Sequence, residues 1–123
     1  MPGEDSEAVM LEFQAVLDEL AAHHAGMDAS LEMTLTRPGT EVPESSDVVQ
    51  QLLAAARARG AESQVAGMTA WVDAAFLNEV GVPTVCFGPG GIAQAHTEDE
   101  WIDVREIRTC ADVLETFARG LGR

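Results

Sequence analysis

His96 is the residue with the most chemistry to offer. It follows a glycine-rich stretch and precedes Glu98, Asp99 and Glu100. An imidazole is a common metal ligand, and a nearby carboxylate can hold its second nitrogen. A single histidine without a fixed ligand spacing also reads as an exposed loop residue among acids. Gly88-Pro89-Gly90-Gly91 lets backbone approach a ligand closely, or simply makes a tight turn. No Lys-Ser/Thr pair follows it, which argues against a nucleotide loop. Arg37 is the sole Arg of residues 1–50. It could take a carboxylate as a planar fork, or offset the neighbouring acids. Asp73 opens a short helical pattern, where the dipole alone favours a carboxylate. His23 and His24 fall in a last helical turn and have the same kind of structural explanation. There is no Gly-x-Ser-x-Gly elbow, no His-x-x-x-His and no Cys-x-x-Cys. A self-contained enzyme is not visible in these residues.

The elements that must position these groups follow from the apolar spacing. Glu4, Asp5, Ser6 and Glu7 mark a helix start, with carboxylates and a hydroxyl available to cap it. Val9, Phe13, Val16, Leu17, Leu20 and His24 then recur at helical spacing, and Gly26 is a stop. Ser30 to Thr36 alternates polar and apolar residues, which predicts a half-buried strand. Arg37 to Ser45 contains Pro38, Gly39 and Pro43 and reads as a connector. A second helix is expected from Ser46 to Arg59, with Val49, Leu52, Leu53 and Ala56 on one stripe and Gly60 beyond it. Residues 62–66 are a weak strand candidate, and Trp71 to Val80 a short helix closed by Gly81. Val82 to Phe87 is a nearly continuous apolar run, as in a strand buried on both faces. Asp103 and Glu106 resemble an acidic capping box for a last helix carrying Val104, Ile107, Ala111, Leu114 and Phe117. Trp71, Phe87 and Trp101 are expected in the core.

The second half therefore has a β-α-β rhythm with only two main strands, and the first half has one helix and one strand. A lone half-apolar strand cannot bury its own face. The expected fold class is α/β (α+β overall), built from parts of two domains: residues 1–38, a linker at 39–45, and residues 46–123.

Charge narrows the functions. The 123 residues contain 21 Asp and Glu against seven Arg and no Lys, for a net charge of -14. That balance excludes binding nucleic acid through a basic stripe, and argues against docking on an anionic membrane. Residues 1–50 carry eleven acids and one Arg, whereas residues 51–123 carry ten acids and six Arg. No run of about 18 apolar residues is present to span a bilayer. The acidic start does not look like a signal peptide. Cys86 and Cys110 are expected to be reduced and buried, as in a cytoplasmic protein.

Taken in order, Asp73-Ala74-Ala75-Phe76-Leu77, Gly81-Val82-Pro83-Thr84-Val85, Phe87-Gly88-Pro89-Gly90 and His96-Thr97-Glu98-Asp99-Glu100-Trp101 resemble one family. It is the family of dizinc amidohydrolases and metallopeptidases that includes acetylornithine deacetylase, succinyl-diaminopimelate desuccinylase, aminoacylase, peptidase T and glutamate carboxypeptidase. The resemblance spans essentially the whole chain, as the family's carboxy-terminal third. Any one of these motifs alone would be weak; their order is specific. Pro2-Gly3-Glu4 is similar to the residues just after the Asp-x-Arg strand of the family's inserted lid. Residues 1–38 then correspond to part of that lid and dimerisation domain, and residues 46–123 to the end of the catalytic α/β domain.

The resemblance implies that His96 is a ligand of one of two zinc ions, with cobalt or manganese as substitutes. It implies that Glu100 and Asp73 are supporting carboxylates behind the metal site. Gly88, Pro89 and Gly90 would wall the substrate site, and Arg37 would take the substrate's carboxylate. The family has Thr or Ser before the Asp, where this chain has Val72, which carries no hydroxyl. The remaining ligands and the general base (a His-x-Asp, a bridging Asp, a Glu-Glu pair and a further carboxylate) would lie upstream of Met1. The expected function is the carboxy-terminal part of an enzyme cleaving an N-acyl amino acid or small peptide, inactive alone, with homodimerisation through the lid. The alternative is a non-catalytic binding or dimerisation module that keeps this architecture. An anion-binding α/β protein using the Gly-Pro-Gly-Gly loop is disfavoured by the charge.

Overall fold

The computed structural model describes residues 2–121. Four α-helices follow in order: α1 (Ser6–His23), α2 (Asp47–Ala58), α3 (Ala74–Glu79) and α4 (Val104–Gly120). A single 3-10 turn, Ile92–Gln94, lies between α3 and α4.

The helices begin and end for the local reasons legible in the sequence. α1 is capped by the Asp5 carboxylate, which accepts from the Glu7 N–H at 3.0 Å, rather than by the Ser6 hydroxyl. At its other end the His23 ring meets the Glu19 carbonyl at 2.8 Å. α2 stops just before Gly60, whose φ of +68° lies in the left-handed region that glycine enters without penalty. The Ser46 hydroxyl donates backward to the Pro43 carbonyl at 2.7 Å, fixing the entry into α2 without capping it. α3 is shorter than the periodicity predicts. Trp71 and Val72 stay outside it, and Asp73 is its N-cap residue, making no side-chain capping bond.

Among the described residues, only α2 and α4 pack against each other as elements. Ala55 and Ala56 let the helices approach, and Val113 (0% exposed) fills the contact. Leu52, Ala61, Phe87 and Phe117 close around this small core. Arg59 Nε donates to Thr116 Oγ1 at 2.7 Å and ties the same two helices at their edge.

The strand half of the α/β expectation does not form among the described residues. Residues 30–36, 62–66 and 82–87 all lack regular structure and carry no ladder. A strand is completed by a neighbouring backbone 4.7–4.9 Å away, and no segment in these residues supplies one. The same lack of cover corrects the burial expectations. Cys86 is exposed and Cys110 half-buried. Trp101 is 63% exposed, and Trp71 also lies open to solvent, while Phe87 does reach the core. α1 buries none of its residues. Leu11, Phe13, Val16 and Leu20 are exposed along it. An open groove of about 400 Å³ separates its first half from residues 31–37, lined by Val9, Phe13, Met33, Leu35 and Arg37 among others.

The total accessible surface is 9883 Å². A complete folded domain of 13.1 kDa exposes about 6,400 Å². The excess, about 3,500 Å², is larger than one side of most obligate interfaces.

Candidate functional site

The loop from Gly88 to Ile102 is held by two carboxylates that accept backbone N–H groups. Glu106 Oε2, on the first turn of α4, accepts the Gly90 N–H at 2.8 Å. Gly90 has φ +84°, and a Cβ built there would lie 3.4 Å from Ile102 Cδ1, an ordinary contact. The conformation therefore requires glycine more than the space does. The capping box expected at this end of α4 is consequently half-made. Asp103 accepts the Arg105 N–H and pairs with the Arg105 guanidinium, while Glu106 turns away to the loop. The paired guanidinium holds the Asp103 carboxyl below its ordinary range, and the carboxylate raises Arg105 in turn.

Six residues after Gly90, the backbone N–H of His96 donates to Glu100 Oε2 at 3.1 Å. His96 has φ +62°, the one non-glycine residue in the left-handed region among those described. Thr97 Oγ1 donates to the Gln94 carbonyl at 2.8 Å and closes the turn before it. His96 and Glu100, paired by the sequence pattern, are thus brought together through backbone. The imidazole itself is exposed.

The run that leads into this loop is anchored by a residue that the sequence does not single out. Asn78, in the last turn of α3, accepts from the Thr84 N–H at 2.6 Å and donates to the Thr84 carbonyl at 3.0 Å. Its amide imitates a strand partner for one residue of the 82–87 segment. An Asn three residues before Gly81 carries no signal beyond a turn preference.

Arg37 and Asp73 meet a different neighbourhood. The Arg37 guanidinium lies 5.1 Å from the Trp71 ring centroid and 5.9 Å from that of Phe76. The two rings are edge-to-face, 5.1 Å apart at 74°. Trp71 Nε1 donates to the Pro38 carbonyl at 3.2 Å. Asp73 lies between the two aromatic residues in sequence, exposed at the start of α3.

Residues 4–120 match the sequence profile of peptidase family M20/M25/M40. The chain belongs to this family. Acetylornithine deacetylase of Myxococcus xanthus is 28% identical over 114 residues, 93% of this chain and 29% of that protein. N-acetyl-L-citrulline deacetylase of Xanthomonas campestris pv. campestris is 25% identical over 122 residues, 98% of this chain and 31% of that protein. A 33% identity over 81 residues links 65% of the chain to 19% of N-formyl-4-amino-5-aminomethyl-2-methylpyrimidine deformylase of Halalkalibacterium halodurans. The chain thus spans about three-tenths of the first of these relatives. No solved structure matches it significantly.

M20/M25/M40 members are generally metal-dependent hydrolases. Among the described residues no group of three His, Cys, Asp or Glu side chains is placed to hold a metal ion. Zinc closes its shell at four ligands, three of them from protein in catalytic sites. The donors in these residues therefore do not fit a metal by themselves; His96 offers one nitrogen. None of the described helices is long and apolar enough to cross a membrane.

Proposed function

We propose that this chain is the carboxy-terminal part of a metal-dependent amidohydrolase acting on an N-acyl amino acid or small peptide. It contributes His96 as one metal ligand, Glu100 and Asp73 as supporting carboxylates, the Gly88-Pro89-Gly90 wall and the Arg37 fork, but is inactive alone. The names of two relatives, acetylornithine deacetylase and N-acetyl-L-citrulline deacetylase, support the substrate class, and the pyrimidine deformylase supports amide deacylation more broadly. The metal, zinc by family resemblance, would polarise the amide and lower the pKa of a bound water. This chain's residues orient and enclose the substrate.

The observation that carries this reading is the surface. Measured against a fully unfolded chain, the fold buries only about 70% of the area that a complete domain of 13.1 kDa would bury. Residues 1–38 and 46–123 each present apolar surface that a fuller lid and catalytic domain would cover. Residues 6–36, with Leu11, Phe13, Val16, Leu20, Met33 and Leu35 exposed, are the proposed homodimer surface.

Calorimetry tests the incompleteness directly. A complete 123-residue domain has an unfolding heat capacity increment of about 1.5–1.8 kcal/mol/K. This chain should give about 1.1–1.3 kcal/mol/K, in proportion to its smaller buried area. The full value, together with stoichiometric tight zinc and hydrolysis of N-acetyl amino acids by the purified chain, would overturn the proposal.

A further inference from the structure

Trp71 is an apolar residue in a position that does not bury it. Trp71 is 39% exposed, and Phe76 beside it is 46% exposed. Both rings instead face one cation, Arg37, from the far side of the 39–45 connector. Two separate ties run from Trp71 to residues 37–38: the ring to the Arg37 guanidinium, and Nε1–H to the Pro38 carbonyl. Arg37 also donates from Nη1 to the Thr36 carbonyl at 3.2 Å.

Stacking engages the faces of a guanidinium, whereas a carboxylate is taken by its N–H edge. The two uses are compatible on one side chain. An arginine already stacked has lost much of its rotamer freedom before any ligand arrives, so the ligand loses less by ordering it. Nothing in the packing of α2 on α4 requires Trp71 at this place, since the core there is complete without it.

We propose that Trp71, assisted by Phe76, is a positioning residue that presents the Arg37 guanidinium to the substrate's carboxylate. This rests on the reading of Arg37 as the carboxylate site. Trp71 acts through Arg37 and touches no reacting atom.

The test is a titration of N-acetylglycine into the 15N-labelled chain, followed at the Arg37 Nε–Hε resonance, which Arg37→Lys identifies by its loss. In the parent chain that resonance should be displaced by the ring currents and should shift saturably with the probe. Trp71→Leu should remove the ring-current displacement and weaken the probe about two- to five-fold, the factor matching an exposed cation–π stack. Trp71→Phe keeps a ring but loses the Nε1 bond, and should restore most of the binding. Where Trp71→Leu loses its helical circular dichroism, Phe76→Leu replaces it, with a smaller effect expected.

Equal binding by the parent and Trp71→Leu overturns the positioning role while leaving Arg37 as the carboxylate site. A ring-current displacement with no response to the probe in the parent overturns the Arg37 reading, and the proposal with it. Equal loss in Trp71→Leu and Trp71→Phe assigns the effect to the Nε1 bond and also overturns the proposal.

Discussion

Val113→Ala against Leu11→Ala measures where this chain keeps its stability. Val113 is fully buried between α2 and α4, in contact range of Ala55 and Ala56. Truncation removes two methyl groups, about 1.6 kcal/mol of transfer free energy at ~0.8 kcal/mol each. The void they leave adds to this, for a total of about 2 kcal/mol, because close-packed helices relax only partly. Leu11 is chemically similar but 72% exposed on α1, and its truncation should stay within about 0.5 kcal/mol. Urea unfolding followed by circular dichroism at low protein concentration separates the two. Val113→Ala should move the midpoint at constant slope, and Leu11→Ala should leave it in place. Equal destabilisation by both would refute the reasoning, because it would mean that the α1 face is covered in the isolated chain. A Leu11→Ala effect that emerges only as protein concentration rises would instead locate the cover in a second copy.

Two further outcomes concern the loop and its helix. Glu106→Ala should speed amide exchange at Gly90, while Glu106→Gln, which keeps an acceptor oxygen, should retain most of the protection; unchanged exchange in the alanine variant would dispose of the Glu106 anchor. Asp103 has its pKa lowered by Arg105, so its contribution to stability is present above the ordinary carboxylate range and is lost as pH falls through the lowered value. Its carboxyl carbon, followed by NMR, should titrate below a free Asp, and α4 helicity should drop over that interval; titration at or above the free value would contradict the Asp103–Arg105 pairing.

The helices were legible because their causes are local. The stripe of Val49, Leu52 and Ala56, the stop before Gly60 and the acidic start of α4 at Asp103 all act within a few residues. The strands were not, since alternation in residues 30–36 says which face wants cover without supplying the neighbouring backbone. Cys86 failed with them: its expected burial belonged to a sheet that these residues do not complete. Among the candidate site residues, the motif order brought His96 and Glu100 to one turn, and the structure joins them. Glu106 was misassigned because a capping signature is read three residues away, while its partner Gly90 lies sixteen residues upstream. Trp71 was misread because hydrophobicity counts area and ignores a guanidinium placed over it from residue 37.

The left-handed backbone at His96 has an evolutionary consequence. A side chain there sacrifices about 1 kcal/mol relative to glycine, which occupies the same φ freely. A laboratory selection for heat resistance alone would therefore reward loss of the imidazole. On the proposed reading of His96 as a metal ligand, position 96 is one where thermostabilising substitution and chemistry pull in opposite directions, and any consensus or library approach to this chain should hold it fixed.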